Sequence, residues 1–292
     1  MRANLSEYEM KNASDLKEVL HFLDKKNEKW KIFACGTDLM VLFEAGKLNH
    51  KNFINILGLN ELKKIEIHSG EIHIGSLVTY SKIRSNEVIK KEFSLLCRAA
   101  SETGALAIQN RGTLGGNIAN ASPAADSPPA LLVYGAKLEL MSTHGKRIID
   151  YNNFHRGYKL TELKENELIS KIILPRSSLK PTLEYYRKVG TRKAQAISKV
   201  CFAGVLYNEK GEISGCKIAI GSVAPVPYRC TKTEAHLIGK KLNRKLITEA
   251  KSLLMNEVAP IDDIRSTQTY RKLVSGNLLE EFLEKCGIGL AN

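Results

Sequence analysis

Residues 111–132, RGTLGGNIANASPAADSPPALL, gather three glycines, three prolines and two asparagines among small side chains, with Asp126 as the only acidic group. Side-chain bulk is withheld over such a length where something approaches the main chain closely. Gly115 and Gly116 offer a backbone able to take positive φ, and successive N–H groups turned inward form a concave nest suited to a diphosphate. Thr113 and Asn117 flank the pair and add a hydroxyl and an amide. Asp126 has two readings: an acceptor for ligand hydroxyls, or the N-cap of a helix beginning near Pro128. The segment is neither a G-x-G-x-x-G opening a helix nor a G-x-x-x-x-G-K-S/T loop. A lone glycine pair marks a tight turn; the extended string R-G-T-x-G-G-N-x-x-N-x-x-P-x-x-D is the specific feature.

The chain has 292 residues, which at roughly 150 residues per domain predicts two domains. Leu16, Val19, Leu20 and Leu23 recur at helical spacing, so residues 14–27 read as a helix capped by Ser14. Trp30–Ala34 reads as a strand, interrupted by Cys35-Gly36-Thr37-Asp38 ahead of the apolar run LMVLF. Glu71–Gly75 alternates as a strand, residues 80–103 read as helical, and 136–142 and 167–174 as strands. Two prolines in PRSSLKP, residues 175–181, mark a boundary. Beyond it, 183–189, 199–207 and 212–220 are β-like, the last two joined by NEKGE as a hairpin. Helices follow near 232–242, 247–257 and 267–285, so the second half is an α+β unit.

Composition removes several classes. With 43% hydrophobic and 26% charged residues the chain is neither disordered nor fibrous. No apolar run reaches the roughly 18 residues that span a bilayer, so no membrane partner is expected. The first residues lack a secretory apolar core, and a cytoplasmic location is the expectation. The net charge of +13 raises nucleic acid as a partner. The lysines, however, are dispersed in pairs such as Lys63–Lys64 and Lys90–Lys91, with no arginine-rich tract or aromatic platform, so no nucleic acid is expected. Six cysteines contain no C-x-x-C pair, which argues against zinc or iron–sulfur clusters. The seven histidines show no H-x-x-x-H or similar grouping, so no metal site is expected, and no nucleophile motif such as G-x-S-x-G appears.

The extended string resembles the signature of the FAD-binding subunit of molybdenum hydroxylases, the family that includes the flavin subunits of xanthine, carbon monoxide and nicotinate dehydrogenases. Further stretches agree in order. Ala34-Cys35-Gly36-Thr37-Asp38-Leu39 is similar to the family's A-G-G-T-D/S-L turn, and Phe154-His155-Arg156-Gly157-Tyr158 to its F-x-x-G-Y. Tyr186–Arg192 resembles Y-x-K-x-G/A-x-R, Gly221–Pro225 resembles GAVAP, and Ile264–Arg271 its V/I-R-G/A-S-x-x-Y-R. The resemblance spans essentially the whole chain.

The resemblance implies an α+β fold: a two-lobed FAD-binding domain of the vanillyl-alcohol oxidase (PCMH) type over 1–176, then a smaller α+β domain over 177–292. It implies FAD as cofactor, with the diphosphate held by two turns. One comprises Ile32, Phe33, Ala34, Cys35, Gly36, Thr37, Asp38 and Leu39; the other comprises Thr113, Leu114, Gly115, Gly116 and Asn117. It also implies that Ile169, otherwise a core residue, packs near the flavin or adenine. One of Arg187 and Lys188, otherwise surface charges, reaches the flavin or its phosphates. Tyr158 is either a packed corner residue or a neighbour of the flavin's exposed face. Cys35 replaces a family glycine and is strained only if that position needs positive φ.

The chemistry implied is the flavin's, so no proton-transfer or catalytic side chain is expected. Electrons reach it from a 2Fe–2S small subunit served by a molybdopterin large subunit, with NAD+ as acceptor. A xanthine or purine dehydrogenase is the favoured setting, and a carbon monoxide or nicotinate-type enzyme is an alternative. A stand-alone flavoprotein reductase and a non-enzymatic basic binding module are the competing classes.

Overall fold

A computed structural model describes residues 4–25 and 27–286; Lys26 of the expected first helix lies outside them. Strand β1 (Glu9–Asn12) leads to helix α1 (Leu16–Leu23), strand β2 (Trp30–Phe33), helix α2 (Leu39–Glu44) and strand β3 (Asn52–Asn55). The three strands form a parallel sheet in the order β1-β3-β2. The helix cap is Asp15, not Ser14: the Asp15 carboxylate accepts the Glu18 N–H at 2.8 Å. Ser14 instead donates its N–H and hydroxyl to the Glu18 carboxylate, a reciprocal arrangement that satisfies donors on both sides of the helix start. The apolar run after the turn forms α2 rather than resuming a strand.

The second lobe opens with β4 (Ile65–Ile67) and β5 (Glu71–Gly75). Six helices follow: α3 (Tyr80–Ser85), α4 (Glu87–Glu92), α5 (Ser94–Glu102), α6 (Leu106–Arg111), α7 (Leu114–Ala119) and α8 (Ser127–Val133). Strands β6 (Lys137–Ser142), β7 (Gly145–Asp150), β8 (His155–Gly157), β9 (Leu160–Thr161) and β10 (Leu168–Pro175) complete it. The main sheet is ordered β4-β5-β10-β6-β7. Its central strand, β10, is buried at six of eight positions besides Lys171 and the terminal Pro175, as an apolar run covered on both faces requires. The expected single helix over 80–103 is broken twice. Asn86 leaves helical ψ and caps α4 with its side chain, and Phe93 leaves helical ψ before α5 without a side-chain cap.

The last part contains β11 (Leu183–Val189), β12 (Val200–Glu209), β13 (Glu212–Gly221), β14 (Tyr228–Arg229), α9 (Thr231–Leu237), α10 (Arg244–Glu257) and α11 (Gln268–Lys285). The strands form one antiparallel sheet in chain order. Lys210 and Gly211, at φ 52° and 86°, make the β12–β13 hairpin with the two positive-φ residues such a turn favours. Strand alternation gives this sheet two cores. Val200, Phe202 and Leu206 pack with Leu246, Leu254, Leu279 and Phe282 of the helices. Cys201, Ala203 and Val205 face the other way and join the core of the second lobe, with Leu131 and Val133 of α8. The molecule is therefore α+β, with one hydrophobic core continuous across the segment between β10 and β11.

Candidate functional site

The turn after β2 is set by its glycine. Gly36 sits at φ 70°, where a side chain is strained, and an added Cβ would lie 2.6 Å from Cζ of Phe33. Cys35 has no positive φ, so the thiol in place of the family's glycine costs no left-handed strain. Half-burial raises its pKa, with Arg111 and Lys63 acting the other way. The N–H groups of Cys35, Gly36, Thr37 and Asp38 have no hydrogen-bond acceptor among the described residues. Asp38 precedes α2 without capping it, and its Oδ1 accepts Nδ2 of Asn120 at 3.1 Å. That bond ties the turn to a segment 82 residues away.

The glycine pair behaves differently from the expectation. Gly115 and Gly116 lie in helix α7 at ordinary φ, and their N–H groups do not form an open nest. Leu114 N–H donates to Val78 O at 3.0 Å, Gly115 N–H to Ser76 O at 3.0 Å, and Asn117 N–H to Thr113 O at 3.0 Å. Gly116 N–H goes to Oγ1 of the N-cap Thr113 at 3.2 Å. The segment leaving β5 thus consumes donors that the sequence leaves open. Gly115 lacks a side chain because a Cβ would lie 2.5 Å from Cβ and 2.7 Å from O of Ser76. Gly116 is exposed, and a Cβ there would meet only Thr113 Oγ1, at 2.8 Å.

Two buried side-chain oxygens in this neighbourhood have no partner: Oδ1 of Asn117 and Oγ of Ser76. Ser76 and Asn120 are absent from the sequence-derived set. Nothing in GSLVTY marks Ser76, whereas Asn117 and Asn120 are three apart and share a helical face.

Asp126 and Lys188 belong to a second constellation. Asp126 precedes α8 but its side chain does not cap it. Its Oδ2 lies 2.7 Å from Nζ of Lys188 and its Oδ1 accepts the Ser198 hydroxyl at 2.6 Å. The Lys188 ammonium also donates to Glu102 O at 2.8 Å, and the Tyr186 hydroxyl to Asp126 O at 3.1 Å. Burial pushes the Asp126 carboxyl up, while the ammonium and the hydroxyl bonds pull it down. Arg187, on the opposite face of β11, is exposed. Ile169 pairs with Leu140 and is buried in the core of the second lobe. Tyr158 is 66% exposed, not packed into a corner.

Comparison with known proteins adds to this geometry. Residues 6–177 match the family described as the FAD binding domain in molybdopterin dehydrogenase, and residues 184–286 the CO dehydrogenase flavoprotein C-terminal domain. The glyceraldehyde dehydrogenase medium chain of Sulfolobus acidocaldarius is 32% identical over 92% of this chain and 94% of its own. The xanthine dehydrogenase FAD-binding subunit of Escherichia coli is 28% identical, covering 89% of each. A carbon monoxide dehydrogenase structure from Hydrogenophaga pseudoflava shares the fold, with a TM-score of 0.92 over 98% of this chain and 99% of that one at 24% identity. Among the described residues no helix is long and apolar enough to cross a membrane.

Proposed function

The chain belongs to the FAD-binding subunits of the molybdopterin dehydrogenases, the molybdenum hydroxylases, and from that premise we propose that it links a 2Fe–2S partner subunit to NAD+ within a larger oxidoreductase. The observation that carries the residue assignment is the turn from Cys35 to Asp38, whose four N–H groups lack acceptors, bridged by Asn120 to α7. Four successive N–H groups without acceptors among the described residues are available to the oxygens of a diphosphate.

Residues 32–39 hold that group through their backbone, and Thr113, Leu114, Gly115, Gly116 and Asn117 form the opposing wall. Gly116 contributes its missing side chain and Asn117 its unpartnered carboxamide oxygen, which suits a ribose or ribityl hydroxyl. When bound, FAD supplies the change between two-electron and one-electron transfer. The chain's own part is to position the cofactor and exclude bulk from its phosphates. Ile169 provides apolar packing behind the site. Asp126 and Lys188 fasten β11 to α8, which supports a positioning role for the pair rather than direct contact with hydroxyls. A division at 176/177, 1–176 for the cofactor and 177–292 for the α+β unit, completes the assignment.

The complex so formed contains a molybdopterin large subunit that oxidises substrate. A purine such as xanthine is the first reading. An aldehyde is the second, favoured by the 32% identity with the glyceraldehyde dehydrogenase medium chain. Anaerobic addition of xanthine or glyceraldehyde to the native complex tests both: the true substrate bleaches the flavin absorbance, and NAD+ restores it. Bleaching by neither, or restoration only by another acceptor, removes the corresponding part of the reading.

A further inference from the structure

We propose that hairpin β4–β5 binds a divalent transition-metal ion of the Zn2+ class through His68, His73 and Glu66, with Glu71 orienting His73. The site lies outside the 32–39 and 113–117 constellation and departs from the expectation of no metal site. That expectation rested on linear spacing. The stretch IEIHSGEIHIG instead carries Glu-x-His twice, once on each strand of a hairpin. Side chains alternate along a strand, so Glu66 and His68 share one face, as do Glu71 and His73. Glu66 pairs directly across from His73, and the His68 N–H donates to Glu71 O at 2.9 Å, which puts all four on the same face. Ile72 and Ile74 take the opposite face and are buried.

The donor atoms of Glu66, His68 and His73 lie within 4.8 Å of one another. A tetrahedral Zn2+ with bonds of about 2 Å needs ligand atoms about 3.3 Å apart, so small side-chain rotations at this partly exposed surface suffice. The geometry around His73 gives the cluster its direction. Its Nε2 lies 2.5 Å from Oε1 of Glu71, while its Nδ1 faces Oε2 of Glu66 at 3.9 Å. With Nε2–H donated to Glu71, Nδ1 presents a lone pair to a carboxylate. A carboxylate–imidazole pair aimed in this way is how proteins orient a metal-binding histidine. A cation placed between Nδ1 and the Glu66 carboxylate is attracted by both. Lys171 supplies part of that charge, with Nζ 3.0 Å from Oε2 of Glu66. It is therefore a competitor for the ion. The N2O donor set favours Zn2+, Cu2+ or Ni2+ over Mg2+ or Ca2+.

The test is calorimetric titration of tag-free, FAD-loaded protein with ZnCl2 near neutral pH. One ion per chain is expected. His68→Ala/His73→Ala should weaken binding at least about tenfold while the flavin spectrum and Tm of the metal-free protein stay unchanged. Glu71→Ala should weaken it about tenfold and Glu71→Gln, which still accepts the imidazole N–H, much less. Lys171→Gln should tighten it. Absence of binding overturns the proposal, as does binding that survives the double substitution. So does binding that is lost instead in His236→Ala, at the exposed His236–Glu249 pair.

Discussion

The turn from Cys35 to Asp38 and the first turn of α7 both carry glycine in the family's signature stretches, yet they hold their backbones in opposite states. In the first, four N–H groups have no acceptor among the described residues. In the second, each N–H from Leu114 to Asn117 already has one. The glycines differ accordingly. Gly36 is needed for its φ of 70°, Gly115 for contact with the backbone of Ser76, and Gly116 for open space above the helix. In the proposed diphosphate site, one face donates and the other gives way. Asn120 holds the two together through Asp38.

Substitutions separate these roles. The largest effect belongs to Gly115→Ala. Its Cβ would stand 2.5–2.8 Å from atoms of Ser76, including main-chain O and Cα, which cannot swing aside. Overpacking of this kind costs about 3 kcal/mol, so thermal unfolding should show a Tm lowered by roughly 6–12 °C, with retained FAD falling alongside it. Gly116→Val comes next and should do the reverse. Valine costs no more than glycine within a helix, and its Cβ disturbs only the Thr113 cap, worth about 1 kcal/mol. The Tm should therefore fall by only a few degrees while retained FAD, measured by absorbance after gel filtration, falls to about a tenth or less because bulk enters the ligand's space. An unchanged flavin content would remove α7 from the site.

Gly36→Ala is intermediate. Left-handed strain of about 1–2 kcal/mol and displacement of the Phe33 ring should weaken FAD binding by roughly tenfold for each 1.4 kcal/mol, read by fluorescence titration of the apoprotein. Cys35→Gly should do least. Cys35 has no positive φ to relieve, so FAD affinity should stay within about twofold; a larger loss would give the thiol a role that the turn does not require.

Much of the architecture was legible because it obeys periodicity. Glu71–Gly75 alternates, and the β12–β13 hairpin reads as apolar runs around NEKGE; both fold as expected. Strand β1 is exposed at every position and β3 has only two buried residues, so neither carries an alternating signal. Residues 80–103 keep helical periodicity across two breaks because Asn86 is a cap, which composition alone does not reveal. At the proposed site, the motif gave the glycines of α7 the role of open donors, and the structure gives those donors acceptors. Whether a donor is free depends on Ser76 and Val78, which the chain brings in from another element. The His–Glu face of β4–β5 was hidden for the same reason: its four members converge only when the hairpin closes.

Amide hydrogen exchange on apo and FAD-loaded protein tests the contrast between the two turns most directly. The N–H groups of Cys35, Gly36, Thr37 and Asp38 should exchange freely without cofactor and become protected with it, while those of Leu114 to Asn117 should be protected in both states. Unchanged exchange at 35–38 on loading, or protection at 114–117 that appears only with FAD, would contradict the account.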